Sequence, residues 1–166
     1  SVAGVAAGYG HNGTGISGAA PNASISAIIN EFSDLSDSLA LKYSLDTNQI
    51  YNNSWGPYDD GTIAPLPPLT AATFAEGVAN GRNGRGAIYT WAGGNGRNEE
   101  DNSNYDGYAN SRYVIPIAAI SSNGIHADFS EPGANLLISA PSDGGWFRLD
   151  SDLYQETPPG LSGITT

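Results

Sequence analysis

Ser54-Trp55-Gly56-Pro57-Tyr58-Asp59-Asp60-Gly61 and Tyr89-Thr90-Trp91-Ala92-Gly93-Gly94-Asn95-Gly96 are the two stretches whose reading decides the fold of this chain. Each closes an apolar run with Gly and Asn, and between them lies a helical pattern, Leu69 to Asn80, with Phe74 and Val78 on one face. Strand, helix and strand in that order make the two strands parallel, so both run out at the same carboxyl edge of a sheet. That edge is where α/β folds place their chemistry.

The alternation continues outward from this pair. Ser1 to Gly8 places Val2, Val5 and Ala6 at helical spacing and runs into a Gly-rich loop from Gly8 to Gly18. Ala23 to Asn30 reads as a strand, followed by Ser33-Asp34 as a helix cap with Leu35, Leu39 and Tyr43 on one helical face. Gln49 to Trp55 and Ala87 to Trp91 are the next strands, with Val114 to Ile120 and Leu136 to Ala140 beyond them. Gly144 to Thr166 has no clear period and reads as loop plus an edge strand. The expected fold is α/β, a mainly parallel sheet flanked by helices, with residues 1–166 forming one unit.

Composition narrows the partners. With 39% hydrophobic residues, 22 Gly and 10 Pro in 166 residues, the chain suits a loop-rich globular protein rather than a disordered one. A net charge of -11 disfavours phosphate backbones and anionic membranes, and agrees with cationic substrates or divalent metals. No nucleic-acid or membrane partner is expected. The absence of Cys removes disulfides and thiolate metal sites alike. No run of eighteen apolar residues occurs, and Ser1 to Gly8 does not read as a cleavable leader, although a removed signal peptide would leave no trace.

Two literal Gly-x-Gly-x-x-Gly matches begin at Gly8 and Gly13. A dinucleotide fingerprint needs a strand before it and a helix after it, whereas a helix-like segment precedes these and Pro21 follows. Nucleotide binding is set aside on that mismatch. The sequons at Asn12, Asn22 and Asn52 are short enough to arise by chance.

A family resemblance accounts for more of these segments. Ser1-Val2-Ala3-Gly4-Val5-Ala6-Ala7-Gly8 resembles the helix that follows the catalytic His-Gly-Thr of subtilases, the subtilisin-like serine proteases. The resemblance implies a structural calcium in the loop after it, held by the Asn12 side chain and by carbonyls of Tyr9, Thr14 and Ile16. Hard oxygen donors on a Gly-rich turn suit that ion, and a metal-free loop is the other reading. Asn53-Ser54-Trp55-Gly56 is similar to the strand on which subtilases lay the substrate backbone, which implies substrate-aligning roles for Ser54, Trp55 and Gly56. Its continuation resembles the kexin and furin branch, in which the first of the two Asp residues, here Asp59, belongs to an acidic pocket for Arg or Lys. Standing alone, Asp59-Asp60-Gly61 is an ordinary acidic turn.

Trp91-Ala92-Gly93-Gly94-Asn95-Gly96 resembles the oxyanion segment of the family, and implies Asn95 as donor with Trp91, Ala92 and Gly93 against the substrate. A neutral amide suits that task because it aims N–H groups at an oxygen that becomes negative in the tetrahedral state. Read by itself, Asn-Gly is a common turn. Asp101 to Ser111 resembles the Asp-x-x-x-x-Asp-Gly-Tyr-x-Asn-Ser of the kexin branch, implying Asp106 as the pocket base. By the same likeness Asp101 joins Asp59 and Glu131, in Phe129-Ser130-Glu131-Pro132-Gly133, as ligands of a second calcium. Converging carboxylates repel one another without a cation, although a solvated acidic loop is the alternative.

Departures from the branch also carry information. Ala40 stands where furin-like enzymes place an acid, and Thr62-Ile63-Ala64 supplies no other, so distal selectivity is expected to be relaxed. The missing Cys residues fit a bacterial secreted enzyme. A serine protease needs Ser, His and Asp acting together, yet neither His11 nor His126 stands in a His-Gly-Thr, and no Gly-Thr-Ser follows. The resemblance fades after Pro141. The expectation is therefore the central part of a calcium-dependent endopeptidase acting on polypeptides after Arg or Lys. It would be inactive alone and completed by the remainder of the protease domain, with a non-catalytic calcium-binding module or pseudoprotease as the alternative.

Overall fold

The computed structural model describes residues 2–142 and the short strands at 147–148 and 154–155. The described residues divide into two compact units, one up to Ile28 and one from Ile29 onward.

In the first unit α1 (Val2–Ala7) is followed by a loop that folds back on it. Gly18 N–H donates to Gly8 O at 2.9 Å, and Ala19 and Ala20 donate to Val5 O and Ala6 O at 2.9 and 2.8 Å. A Cβ on Gly18 would lie 2.3 Å from Gly8 N, so the return path requires glycine. The strand expected over 23–30 is absent: these residues join no ladder, and Ile25, Ile28 and Ile29 are exposed. Strand propensity describes a side chain's fit to a half-buried pleated surface, and no such surface forms here.

The second unit begins with α2 (Asp34–Leu41), capped by Ser33, whose hydroxyl accepts from Ser36 N–H. Asp34 works on a different helix. Its carboxylate accepts from Leu69 N–H at 3.0 Å and Thr70 N–H at 2.8 Å, capping α3 (Pro68–Gly84). Burial opposes ionisation of Asp34, but those donors hold its carboxyl below the usual range. The apolar face of α2 is not the one that turns inward: Leu35, Leu39 and Tyr43 are exposed, while Asp37, Ser38 and Leu41 are buried. Spacing defines a face, but only tertiary contact selects which face turns inward. Ser38 and Thr73 hydroxyls share a 2.6 Å hydrogen bond, which ties α2 to α3 through polar atoms.

Four strands, β1 (Ile50–Asn53), β2 (Ile88–Ala92), β3 (Val114–Ile120) and β4 (Ile138–Pro141), form one sheet in chain order. All three pairings are parallel, with Asn53 opposite Trp91 and Ala92 opposite Ile117. The helix between β1 and β2 starts with Pro68 at its first turn, where a missing N–H is harmless, and loses helical geometry at Gly81. The tail differs from the expected edge strand: β5 (Phe147–Arg148) and β6 (Tyr154–Gln155) pair with each other, and the rest of the expected tail lies outside the described residues.

One face of the sheet carries the core. Tyr51, Tyr89, Trp91 and Val114 are buried in one cluster with Leu41 and Phe74, and Phe74 touches Tyr89 and Trp91 at ring separations of 5.0 and 5.8 Å. On the other face Ile50, Ile115 and Ile138 are 60%, 40% and 51% exposed among the described residues. Parallel sheets are ordinarily covered on both faces. On the packed side, a Cβ at Gly77 would stand 1.9 Å from the Tyr89 hydroxyl, which donates to Leu41 O at 2.9 Å. Gly77→Ala is expected to displace that ring and lower stability by about 1–3 kcal/mol. An unchanged melting temperature would show that Tyr89 is not so confined.

Candidate active site and acidic cluster

The site is built at the carboxyl ends of β1 and β2. Because Asn53 is opposite Trp91, the segments Ser54–Gly56 and Ala92–Gly96 leave the sheet side by side. Trp55 meets the Trp91 ring at 4.6 Å. Trp91 is 1% exposed, so its side chain belongs to the core and is not available to a ligand. Gly93 N–H donates to Ile117 O at 3.0 Å, holding the start of the turn against β3. Asn95 is exposed, and among the described residues its side-chain amide has no hydrogen-bond partner.

The two neighbouring aspartates after β1 part company. Asp60 closes its own turn, accepting from the N–H and hydroxyl of Thr62, and those donors lower its pKa. Asp59 reaches across to Asn95, whose backbone N–H donates to its Oδ2 at 3.3 Å. From the other side Glu131 accepts Gly96 N–H on Oε1 at 2.9 Å. Asp59, Asp101 and Glu131 each offer a carboxylate oxygen, and these oxygens lie within 4.8 Å of one another. Asp101 and Glu131 are buried, whereas Asp59 is exposed.

Glycines make room for this cluster. A Cβ on Gly94 would sit 2.2 Å from the Glu131 carboxylate, and one on Gly96 would sit 2.7 Å from Asp59 Cβ and 2.8 Å from Asp101 Cβ. The Gly-Asn-Gly run is therefore both the turn that presents Asn95 and the floor under three carboxylates. Burial pushes Glu131 up to about 7 against the pull of Gly96 N–H, and the charges of Asp101 and Asp59 add to the rise. Two oxygens bound to one calcium at 2.3–2.6 Å are at most about 5 Å apart, so the donor set fits such a hard cation.

Asp106 approaches from a third segment. Ala64 N–H donates to Tyr105 O at 2.9 Å and Gly107 N–H donates to Ala64 O at 2.8 Å, which pairs the loop after Gly61 with the turn at 106. Asp106 Oδ2 lies 3.3 Å from the Cβ position of Gly56, beside the end of β1. Burial raises its pKa to about 6; the N–H groups of Tyr108 and Ala109 oppose the rise, and the charges of Asp59 and Asp101 add to it. Asn95, Asp59 and Asp106 thus border one rim of the sheet.

The other expected ligands are in the first unit. Asn12 Oδ1 accepts Thr14 N–H at 3.0 Å, and among the described residues no backbone hydrogen bond takes the carbonyls of Tyr9, Thr14 or Ile16. Sequence reading missed Asn135, whose amide nitrogen contacts Ser103 O, Ser103 Oγ and Ala109 O at 3.0–3.2 Å and ties both ends of the acidic loop. No local signal marks it, because its partners lie 26 and 32 residues away.

The chain matches the family model of the subtilases, Peptidase S8, over residues 1–160. It belongs to the subtilase family. This subtilase is 40% identical over 154 residues to kexin of Saccharomyces cerevisiae, a match covering 90% of this chain and 19% of the yeast protein. It is 41% identical over 138 residues to the dibasic-processing endoprotease of Schizosaccharomyces pombe, covering 82% and 20% of the two chains. The subtilase thus spans about a fifth of the length of these curated relatives. Its fold is that of a protease from Pseudoalteromonas arctica, with a TM-score of 0.68 at 23% identity over 99% of this chain and 50% of the other. The serine protease of Aeromonas sobria, solved with its chaperone, matches at 0.57 and 20% identity over 70% and 23%. Among the described residues no helix is long and apolar enough to cross a membrane.

Proposed function

We propose that this chain is the substrate-binding and oxyanion-binding part of a secreted, calcium-dependent serine endopeptidase that cleaves polypeptides after Arg or Lys. The observation that supports this reading is the meeting of Asn95, Asp59 and Asp106 at the ends of β1 and β2. The backbone of Ser54–Gly56 receives the substrate as an added strand, and Asp59 with Asp106 receive its cationic side chain. The Asn95 amide donates to the oxygen of the scissile carbonyl as that oxygen becomes negative. Calcium held by Asp59, Asp101 and Glu131 neutralises their mutual repulsion and keeps the floor of the Asn95 turn in place. Asn12, with the carbonyls of Tyr9, Thr14 and Ile16, holds a second ion of the same kind.

None of the 166 residues forms a His-Gly-Thr or a Gly-Thr-Ser, so in this reading the nucleophile and its base come from the remainder of the protease domain. The exposed Ile50, Ile115 and Ile138 mark the surface that such a remainder would cover. The test is cleavage by the full-length protein, with calcium and with chelator, of matched peptides ending in Arg, Lys or Ala at the scissile bond. Calcium-dependent cleavage after Arg and Lys but not Ala is expected. Calcium binding with no cleavage of any peptide would favour the non-catalytic module.

A further inference from the structure

Asp37 is 2% exposed, lies in the first turn of α2, and takes no part in the acidic cluster or the Asn95 turn. A buried carboxylate is costly unless donors surround it. Two side chains supply them: the Tyr108 hydroxyl donates at 2.8 Å and the Asn30 amide donates at 2.8 Å. Asn30 is itself oriented, because its Oδ1 accepts from Phe32 N–H at 3.0 Å and from the Ser36 hydroxyl at 2.8 Å. The N-terminal end of a helix also favours negative charge there.

Tyr108 is fixed at both ends. Its ring stacks on Trp91 at 5.0 Å and 14°, and stands edge-on to Trp55 at 5.1 Å. Its backbone N–H donates to Asp106 Oδ1 at 2.7 Å. Burial and the hydrogen bond to Asp37 keep its hydroxyl protonated, and so a donor. We propose that Asp37 is a positioning residue for specificity: it holds the Tyr108 hydroxyl, and Tyr108 in turn holds the Asp106 carboxylate at the rim. Asp37 is too buried to meet a substrate itself. The inference rests on the reading that Asp106 receives the basic side chain.

The physical consequence falls on Arg more than on Lys. A guanidinium is recognised by a fork of hydrogen bonds that demands a fixed carboxylate orientation, whereas an ammonium is a compact charge that tolerates tilt. Freeing Tyr108 lets Asp106 turn, so the preference for Arg narrows.

The experiment compares the full-length protein with its Tyr108→Phe, Asp37→Ala and double variants on peptides differing only in Arg, Lys or Ala at the scissile bond. Tyr108→Phe keeps the aromatic stack and deletes one hydroxyl, so it remains informative if Asp37→Ala does not fold. Each single change is expected to cut the Arg-to-Lys ratio of kcat/KM roughly three- to tenfold, the effect of about one hydrogen bond, through KM with kcat little changed. The double variant is expected to match the single ones, since both remove the same link. An unchanged Arg-to-Lys ratio in Tyr108→Phe overturns the inference, even if stability falls. A wild-type protein that cleaves Ala peptides as well as Arg peptides overturns the proposed function, and this inference with it.

Discussion

Replacing Asn95 by alanine in the full-length protein is expected to lower kcat by about 10²–10³-fold while leaving KM within a small factor, a magnitude established on subtilisin, a member of the same family. The argument is geometric. Asn95 has its backbone N–H committed to Asp59 and its side chain exposed, with no partner among the described residues, so the amide is free to meet an oxygen that becomes negative only in the transition state. Since Asp59 is held by the backbone, the substitution leaves the carboxylate cluster intact. Calcium binding and thermal stability should therefore match the parent protein. Equal losses in kcat and in calcium affinity would mean that the side chain supports the turn instead of the reaction.

The second large effect concerns Glu131 and pH. Its folded pKa is raised from 4.5 to about 7, and that of Asp106 from 3.8 to about 6. A raised carboxyl pKa means that the folded protein binds the proton more tightly than the unfolded chain does. In metal-free protein this contribution is complete below about pH 4 and is lost as the pH climbs to about 7. Melting temperature in chelator should accordingly fall between pH 5 and pH 8. A calcium ion bound at the cluster would take over the role of the protons, so the rise in melting temperature on adding millimolar calcium should be large at pH 8 and small at pH 5. Glu131→Gln removes that charge and should weaken both dependences, leaving the part due to Asp106. A melting temperature indifferent to calcium at pH 8 would remove the ion from the cluster.

Much of the fold was readable because it is written in short-range pattern. The helix over 69–80 and the strand over 114–120 follow from local periodicity, and both occur with nearly the expected bounds. Ala23–Asn30 shows the limit: its alternation is good strand sequence, yet those residues join no ladder. Leu35 and Leu39 show another, because the helix buries Asp37 and Ser38 in their place. A carboxylate enters the interior there because Tyr108, 71 residues away, arrives to donate to it. No window of neighbouring residues contains that partner.

The site divides along the same line. Gly-Gly-Asn-Gly after one strand and Trp-Gly-Pro after its neighbour mark the rim from sequence alone, since a strand must end where glycine and asparagine turn the chain. Local pattern does not separate Asp59 from Asp60, which the family resemblance alone told apart; in the structure Asp60 closes its own turn and Asp59 meets Asn95, 36 residues on. The need for glycine at 94 and 96 was tertiary, since the Glu131, Asp59 and Asp101 side chains impose it from distant segments. Sequence determined which elements form and where the chain turns, because backbone propensity and hydrophobic period act between near neighbours. The tertiary structure decided which face is buried and which carboxylates converge, because exclusion of water and repulsion between charges act between residues that only folding brings together.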